Sequence, residues 1–155
     1  GSSLMISSGD VNLMISGRGI THSERKPLDI KYPYKLFGIQ CWIALPKHYE
    51  TIKPEFYNYK KKDIPTIIDK NMIANIIMGS AYGKKSPLKN ISNSTFIEIK
   101  IKSNSLLELP QNIEDIAIYL LSGKLSFLDK IIKGGEMLIL NNKLDNKIKV
   151  LENCN

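Results

Sequence analysis

His22 and Glu24 stand two residues apart, just after Gly17-Arg18-Gly19. On an extended backbone residues i and i+2 face the same side, so this imidazole and this carboxylate can converge on one point. Such a pair suits a divalent transition metal such as iron, which two histidines and one carboxylate can hold with positions left open for substrate and oxygen. The chain has only one other histidine, His48, in the polar run Pro46-Lys47-His48-Tyr49-Glu50. That run reads as a surface loop. The sequence therefore offers half a metal site, and a closed site built from it alone is not expected. The plainer alternative for His22 is a half-buried ring bonded to a neighbouring carbonyl.

Other chemistry can be set aside. Gly17-x-Gly19 lacks the third glycine of a dinucleotide loop, and Pro27 arrives too soon for a following helix. Those glycines are better suited to positive φ where the chain bends. Ser23 adjoins His22, but strand neighbours point to opposite sides, so the two form no hydrolase dyad. Cys41, in an apolar run, and Cys154, near the last residue, lack metal-ligand spacing and read as reduced thiols. Cys41 is expected in the core.

The elements that must position these groups follow a period of two. Leu4 to Ile15 reads as one or two strands broken at Ser8-Gly9-Asp10. Leu36 to Leu45 is apolar enough for a strand covered on both faces. Thr51 to Pro65, Tyr- and Lys-rich between prolines, reads as an extended connector. Asn71 to Met78 is a strand and Gly79 to Pro87 a loop. Phe96 to Lys102 alternates, with Ile97, Ile99 and Ile101 on one face and Glu98, Lys100 and Lys102 on the other. Strands follow at Ser105–Leu109, Glu114–Leu121, Lys124–Leu128, Met137–Leu140 and Lys147–Leu151. No segment carries a helical apolar stripe. Short strands at roughly ten-residue spacing indicate an all-β sandwich or barrel.

With 155 residues, 43% hydrophobic and 24% charged, the composition is that of an ordinary globular chain. The net charge of +7 is carried mainly by lysines, as in Lys60-Lys61-Lys62 and Lys84-Lys85. Arginine, the residue suited to bidentate phosphate or guanine contacts, is scarce, so specific nucleic-acid binding is not expected. Neither is membrane insertion, because no apolar run is long enough to span a bilayer. A cytoplasmic location is expected.

Several blocks together resemble the pirin family, a branch of the cupins. They are Gly9-Asp10-Val11, Met14, Gly17-Arg18-Gly19-Ile20 with His22-Ser23-Glu24, and Phe37-Gly38-Ile39-Gln40-Cys41-Trp42-Ile43-Ala44-Leu45-Pro46. Further matches occur at Pro54-Glu55-Phe56-Tyr57, Ile64-Pro65, Gly79-Ser80-Ala81-Tyr82-Gly83 and Ser86-Pro87, and more loosely at Gly134-Gly135-Glu136.

The resemblance implies a tandem bicupin of double-stranded β-helix, or jelly-roll, barrels with one iron-type metal in the first. Residues 1–62 would be the later part of that barrel plus a connector, and 66–155 a metal-free second barrel incomplete at its end. It implies His22 and Glu24 as metal ligands, the remaining two being a His-x-His pair upstream that this sequence lacks. The chain is thus expected to be the middle of such a protein. The resemblance further implies a metal-dependent dioxygenase acting on flavonols such as quercetin, with Glu24 also a catalytic base. The isolated chain is expected to be inactive and prone to associate through unpaired strand edges. The alternative the family allows is a regulatory, transcription-cofactor-like module with a protein partner.

Overall fold

The computed structural model describes residues 3–25, 35, 37–111, 113–141 and 147–155. Among them are thirteen strands, two short 3-10 turns and no α-helix. The all-β expectation holds.

Strand β1 (Val11–Ile15) pairs antiparallel with β2 (Glu55–Tyr59), Val11 opposite Tyr59 and Ile15 opposite Glu55. The expected strand at Leu4–Ser7 is absent, and Leu4, Met5 and Ile6 are exposed. The break at Ser8-Gly9 is present as a turn. The expected connector, in contrast, contains β2. Its Phe56-Tyr57-Asn58-Tyr59 is aromatic and suited to a pleated surface, a signal outweighed in the sequence by the flanking prolines and lysines.

Asp10 locks this ribbon. Its side chain is only 3% exposed. It accepts hydrogen bonds from the Lys60 ammonium at 2.8 Å, the Ser7 amide at 3.1 Å and the Lys61 amide at 3.2 Å. The Lys60 bond, followed by that from Ser7, holds the Asp10 carboxyl down to about 2.

The rest of the chain forms the main body. Strands β3 (Thr66–Ile68), β4 (Met72–Met78) and β7 (Phe96–Ile101) make one sheet in the order β3-β4-β7. Between β4 and β7 lies a tight ribbon of β5 (Ser80–Ala81) and β6 (Lys84–Lys85), where a plain loop was expected. Its two central residues, Tyr82 and Gly83, both have positive φ, the requirement of a type I′ turn. The Tyr82 hydroxyl donates to the Glu108 carbonyl at 2.8 Å and fastens the ribbon to the next sheet.

That next sheet runs β11-β10-β13-β8, from β8 (Ser105–Glu108), β10 (Lys124–Phe127), β11 (Lys130–Lys133) and β13 (Lys147–Val150). β9 (Asp115–Tyr119) pairs with β12 (Met137–Asn141). Inward-facing residues of β7 through β13 share one core with Cys154. At its centre Leu125, Ile148 and Val150 are almost fully buried, ringed by Leu107, Leu120, Phe127, Ile132 and Leu140. The alternation predicted for β7 is realised, with Ile101 buried and Ile99 packed against the core. A smaller cluster of Ile64, Met78 and Leu88 receives Val11 and Tyr59, joining the β1–β2 ribbon to the body.

The expected buried strand at Leu36–Leu45 is corrected. Residue 36 lies outside the described residues, and 37–46 form no strand. Phe37 is 75% and Trp42 91% exposed, and Cys41 is exposed rather than in the core. The physical reason is the ladder. A strand's amides need a neighbouring strand, and among the described residues none pairs with this run.

Three outcomes are expected. Leu125→Ala should lower unfolding free energy by about 2–5 kcal/mol in denaturant titration, whereas Trp42→Ser should leave it nearly unchanged. Phe37, Ile39 and Trp42 should drive association, so light scattering should give a concentration-dependent mass above the 17.5 kDa monomer, reduced by Phe37→Ser with Trp42→Ser. Finally, Asp10 is depressed in the folded state, from 3.8 to about 2. Its stabilisation is full above the unfolded value and is lost as pH falls through the folded one. Melting temperature should therefore decline between about pH 4 and pH 2, and Asp10→Asn should flatten that portion of the curve.

Candidate functional site

The route to His22 and Glu24 begins where β1 ends. Ser16 to Gly19 form a turn closed by the Gly19 amide donating to the Ser16 carbonyl at 2.9 Å. Gly17 and Gly19 both have positive φ, at 49° and 125°, as the bend expected of the glycine pair requires. The Arg18 amide donates to the Ile52 carbonyl at 3.0 Å. This ties the turn to the segment that carries His48.

Beyond Gly19 the chain is irregular, and Thr21 through Arg25 are exposed. The strand expected to aim His22 and Glu24 at one point is therefore not formed, and period-two geometry cannot be used to converge them. The two residues stand two positions apart on an exposed, irregular segment. The reason is again the missing neighbour: no strand among the described residues runs beside 20–25.

His48 lies in a 3-10 turn, Lys47–Tyr49, and is exposed as predicted. The Tyr49 amide donates to the Pro46 carbonyl at 2.7 Å and the Ile52 amide to the Tyr49 carbonyl at 3.3 Å. The His48 ring rests against Tyr49, centroids 4.2 Å apart.

An imidazole and a carboxylate have the right donor chemistry for an iron-type metal. They are two potential donors, fewer than a metal site needs. Among the described residues no three His, Cys, Asp or Glu side chains come together as a potential metal site. The described residues thus fit part of a site and not the whole of one. In the main body, Glu136 of the Gly134-Gly135-Glu136 turn accepts from the Lys133 amide at 2.7 Å, a local turn bond.

Sequence reasoning missed one polar cluster. The Lys89 ammonium bonds the Glu55 carboxylate, and the Tyr57 hydroxyl donates to the same oxygen at 2.7 Å. The Lys89 amide donates to the Tyr59 hydroxyl at 3.1 Å, and its ammonium lies 5.7 Å from the Tyr57 ring centroid. Lys89, with help from Tyr57, holds the Glu55 carboxyl below its ordinary value. The Glu55 carboxylate in turn pushes both Tyr57 and Lys89 up. Each charge is satisfied within the cluster, so it fastens β2 to the 86–90 loop and offers no free acid or base. Glu55 and Tyr57 share a strand face in the sequence, but Lys89 lies 34 positions away, beyond the reach of any pattern.

A family model described as Pirin matches residues 1–43, the stretch that holds the glycine turn, His22 and Glu24. A pirin-like protein of Caulobacter vibrioides is 30% identical over 125 residues, 80% of this chain and 43% of that protein. A Pseudomonas aeruginosa relative, whose name proposes quercetin 2,3-dioxygenase activity, is 29% identical over 105 residues, 68% of this chain and 32% of that protein. The crystal structure of a quercetin 2,3-dioxygenase from Acinetobacter baumannii superposes with a TM-score of 0.64 at 19% identity, covering 73% of this chain and 41% of that one. That likeness shows the cupin fold. The chain spans less than half the length of these relatives. The glycine turn with its His-x-Glu segment, the all-β core and the sequence matches agree, and the chain belongs to the pirin family.

Proposed function

We propose that this chain contributes part of a pirin-type metal centre, with His22 and Glu24 as two of its ligands. The observation that carries the reading is the position of this donor pair, directly behind the glycine turn and inside the stretch that matches the family. In this proposal residues 1–62 belong to the metal-bearing barrel and 66–155 to a metal-free one, and the metal is of the iron type. The remaining donors come from outside the described residues. The parent activity is a dioxygenase acting on a flavonol such as quercetin, with Glu24 the carboxylate placed to take a substrate proton. Support comes from the family and from the activity named for its Pseudomonas relative. The described residues leave the coordination sphere unfinished, and the chain by itself is inactive.

A second reading, a regulatory module acting through a protein partner, is favoured by one observation. The segment after the site displays Phe37, Ile39, Trp42 and Ile43 to solvent, and clustered apolar exposure is a mark of interaction surfaces.

The test is anaerobic Fe(II) titration by calorimetry, followed by quercetin consumption under oxygen. Binding should be weak, because affinity depends on the number of donors presented together. It should disappear in His22→Ala and in Glu24→Gln, and the chain alone should consume no quercetin. Metal binding unchanged in both variants would refute the assignment.

A further inference from the structure

The metal-site reading leaves open what aims an exposed, irregular segment. The close approach of Gly17 to Ile52 bears on this. A Cβ built on Gly17 would lie 2.1 Å from the Ile52 carbonyl oxygen and 3.0 Å from its carbon. Contact at that distance is with backbone, which cannot swing aside as a side chain would. The same carbonyl accepts the Arg18 amide at 3.0 Å. The backbone of 17–18 is therefore pressed against the backbone of 52 and bonded to it at one place.

We infer that Gly17 and the Ile52 carbonyl form a positioning joint that sets the direction in which the His22–Glu24 segment leaves the β1–β2 ribbon. The inference rests on the metal-site reading for its purpose but not for its geometry. Both sides of the joint are themselves held. Ile15 opposite Glu55 ends the ladder one residue before the turn, and the Glu55–Lys89 pair fixes that end of β2 to the body. On the other side, the Ile52 amide bonds the Tyr49 carbonyl at the end of the Lys47–Tyr49 3-10 turn. Past Gly19 the segment has no backbone partner among the described residues, so among them this joint is the last contact with a distant part of the chain before the donors, followed only by the Gly19–Ser16 bond within the turn itself. Any side chain at 17 must separate the two backbones, break the Arg18 bond and release the segment. Gly17 and Ile52 are positioning residues, since neither has a side-chain donor for a metal.

The test uses the full chain with Cys41→Ser and Cys154→Ala, nitroxide-labelled at Thr21→Cys and Lys130→Cys, two exposed sites. Spin-diluted dipolar spectroscopy measures the distance between the labels. Mn(II) titration, followed by loss of the free-ion signal, measures metal affinity in the same variants. Gly17→Ala should shift or broaden the distance distribution. Gly17→Asn should do the same, because asparagine tolerates positive φ but still carries the clashing Cβ. Gly83→Ala, also at positive φ (74°) but with open space around its Cβ, should leave the distribution alone. Melting temperatures identify loss of fold as distinct from loss of aim.

Mn(II) affinity should fall by about tenfold in the Gly17 variants, the scale of loss when support around ligands is removed. An unchanged distance distribution in folded Gly17→Asn would overturn the joint. A changed distribution with unchanged Mn(II) affinity would overturn its positioning role. If the parent chain binds no Mn(II) at all, the metal-site reading is what fails, and the distances still decide the joint.

Discussion

A β-strand exists only as a member of a ladder. Its amides and carbonyls point sideways, and without a neighbour they must bond water, which removes the reason for the backbone to stay extended. Nearly every feature of this protein follows from where that requirement is met. From residue 66 onward the strands find partners, and their inward residues close over Leu125, Ile148 and Val150. Among the described residues before 60, only β1 and β2 find each other. The runs at 3–7, 20–25 and 37–46 stay irregular and largely exposed, although the first and last are rich in residues that favour strands.

The β1–β2 ribbon survives because side chains supply what a wider sheet would have. Asp10 accepts three hydrogen bonds at one end. Lys89, Glu55 and Tyr57 interlock at the other. Ile64, Met78 and Leu88 give the ribbon an apolar seat on the body. A two-stranded ribbon alone is marginal in water, so these bonds and this seat account for its persistence. They also fix the point from which the His-x-Glu segment emerges. The consequence is that the segment carrying His22 and Glu24 is attached to a stable base and, among the described residues, is not enclosed by it.

Much of the body was legible from the residues. Alternation at Phe96–Ile101 and the apolar content of Met72–Met78 and Lys147–Val150 each predict a strand that is present, because both the pattern and its partner lie within the chain. β11 (Lys130–Lys133) was missed because it is only four residues long, follows β10 after the two-residue turn Leu128-Asp129, and no pattern that short is distinctive. β2 was missed because prolines and lysines around it carry a turn signal stronger than its aromatic one. Tyr82 at positive φ in a type I′ turn runs against residue preference. The Glu108 carbonyl that receives its hydroxyl lies 26 positions on, where no local reading could find it.

The amino-acid sequence by itself determined the family, the all-β class, the glycine bend and the identity of the two candidate ligands, because these reside in residue type and short spacing. Tertiary structure alone decided that Phe37 and Trp42 face solvent, that Asp10 is a hydrogen-bonded anchor and that Glu55 meets Lys89. It also decided that His22 and Glu24 lie on an open segment rather than a strand. Each of these depends on which backbone lies alongside, and burial, ion pairing and strand formation are all properties of neighbours brought together from distant parts of the chain.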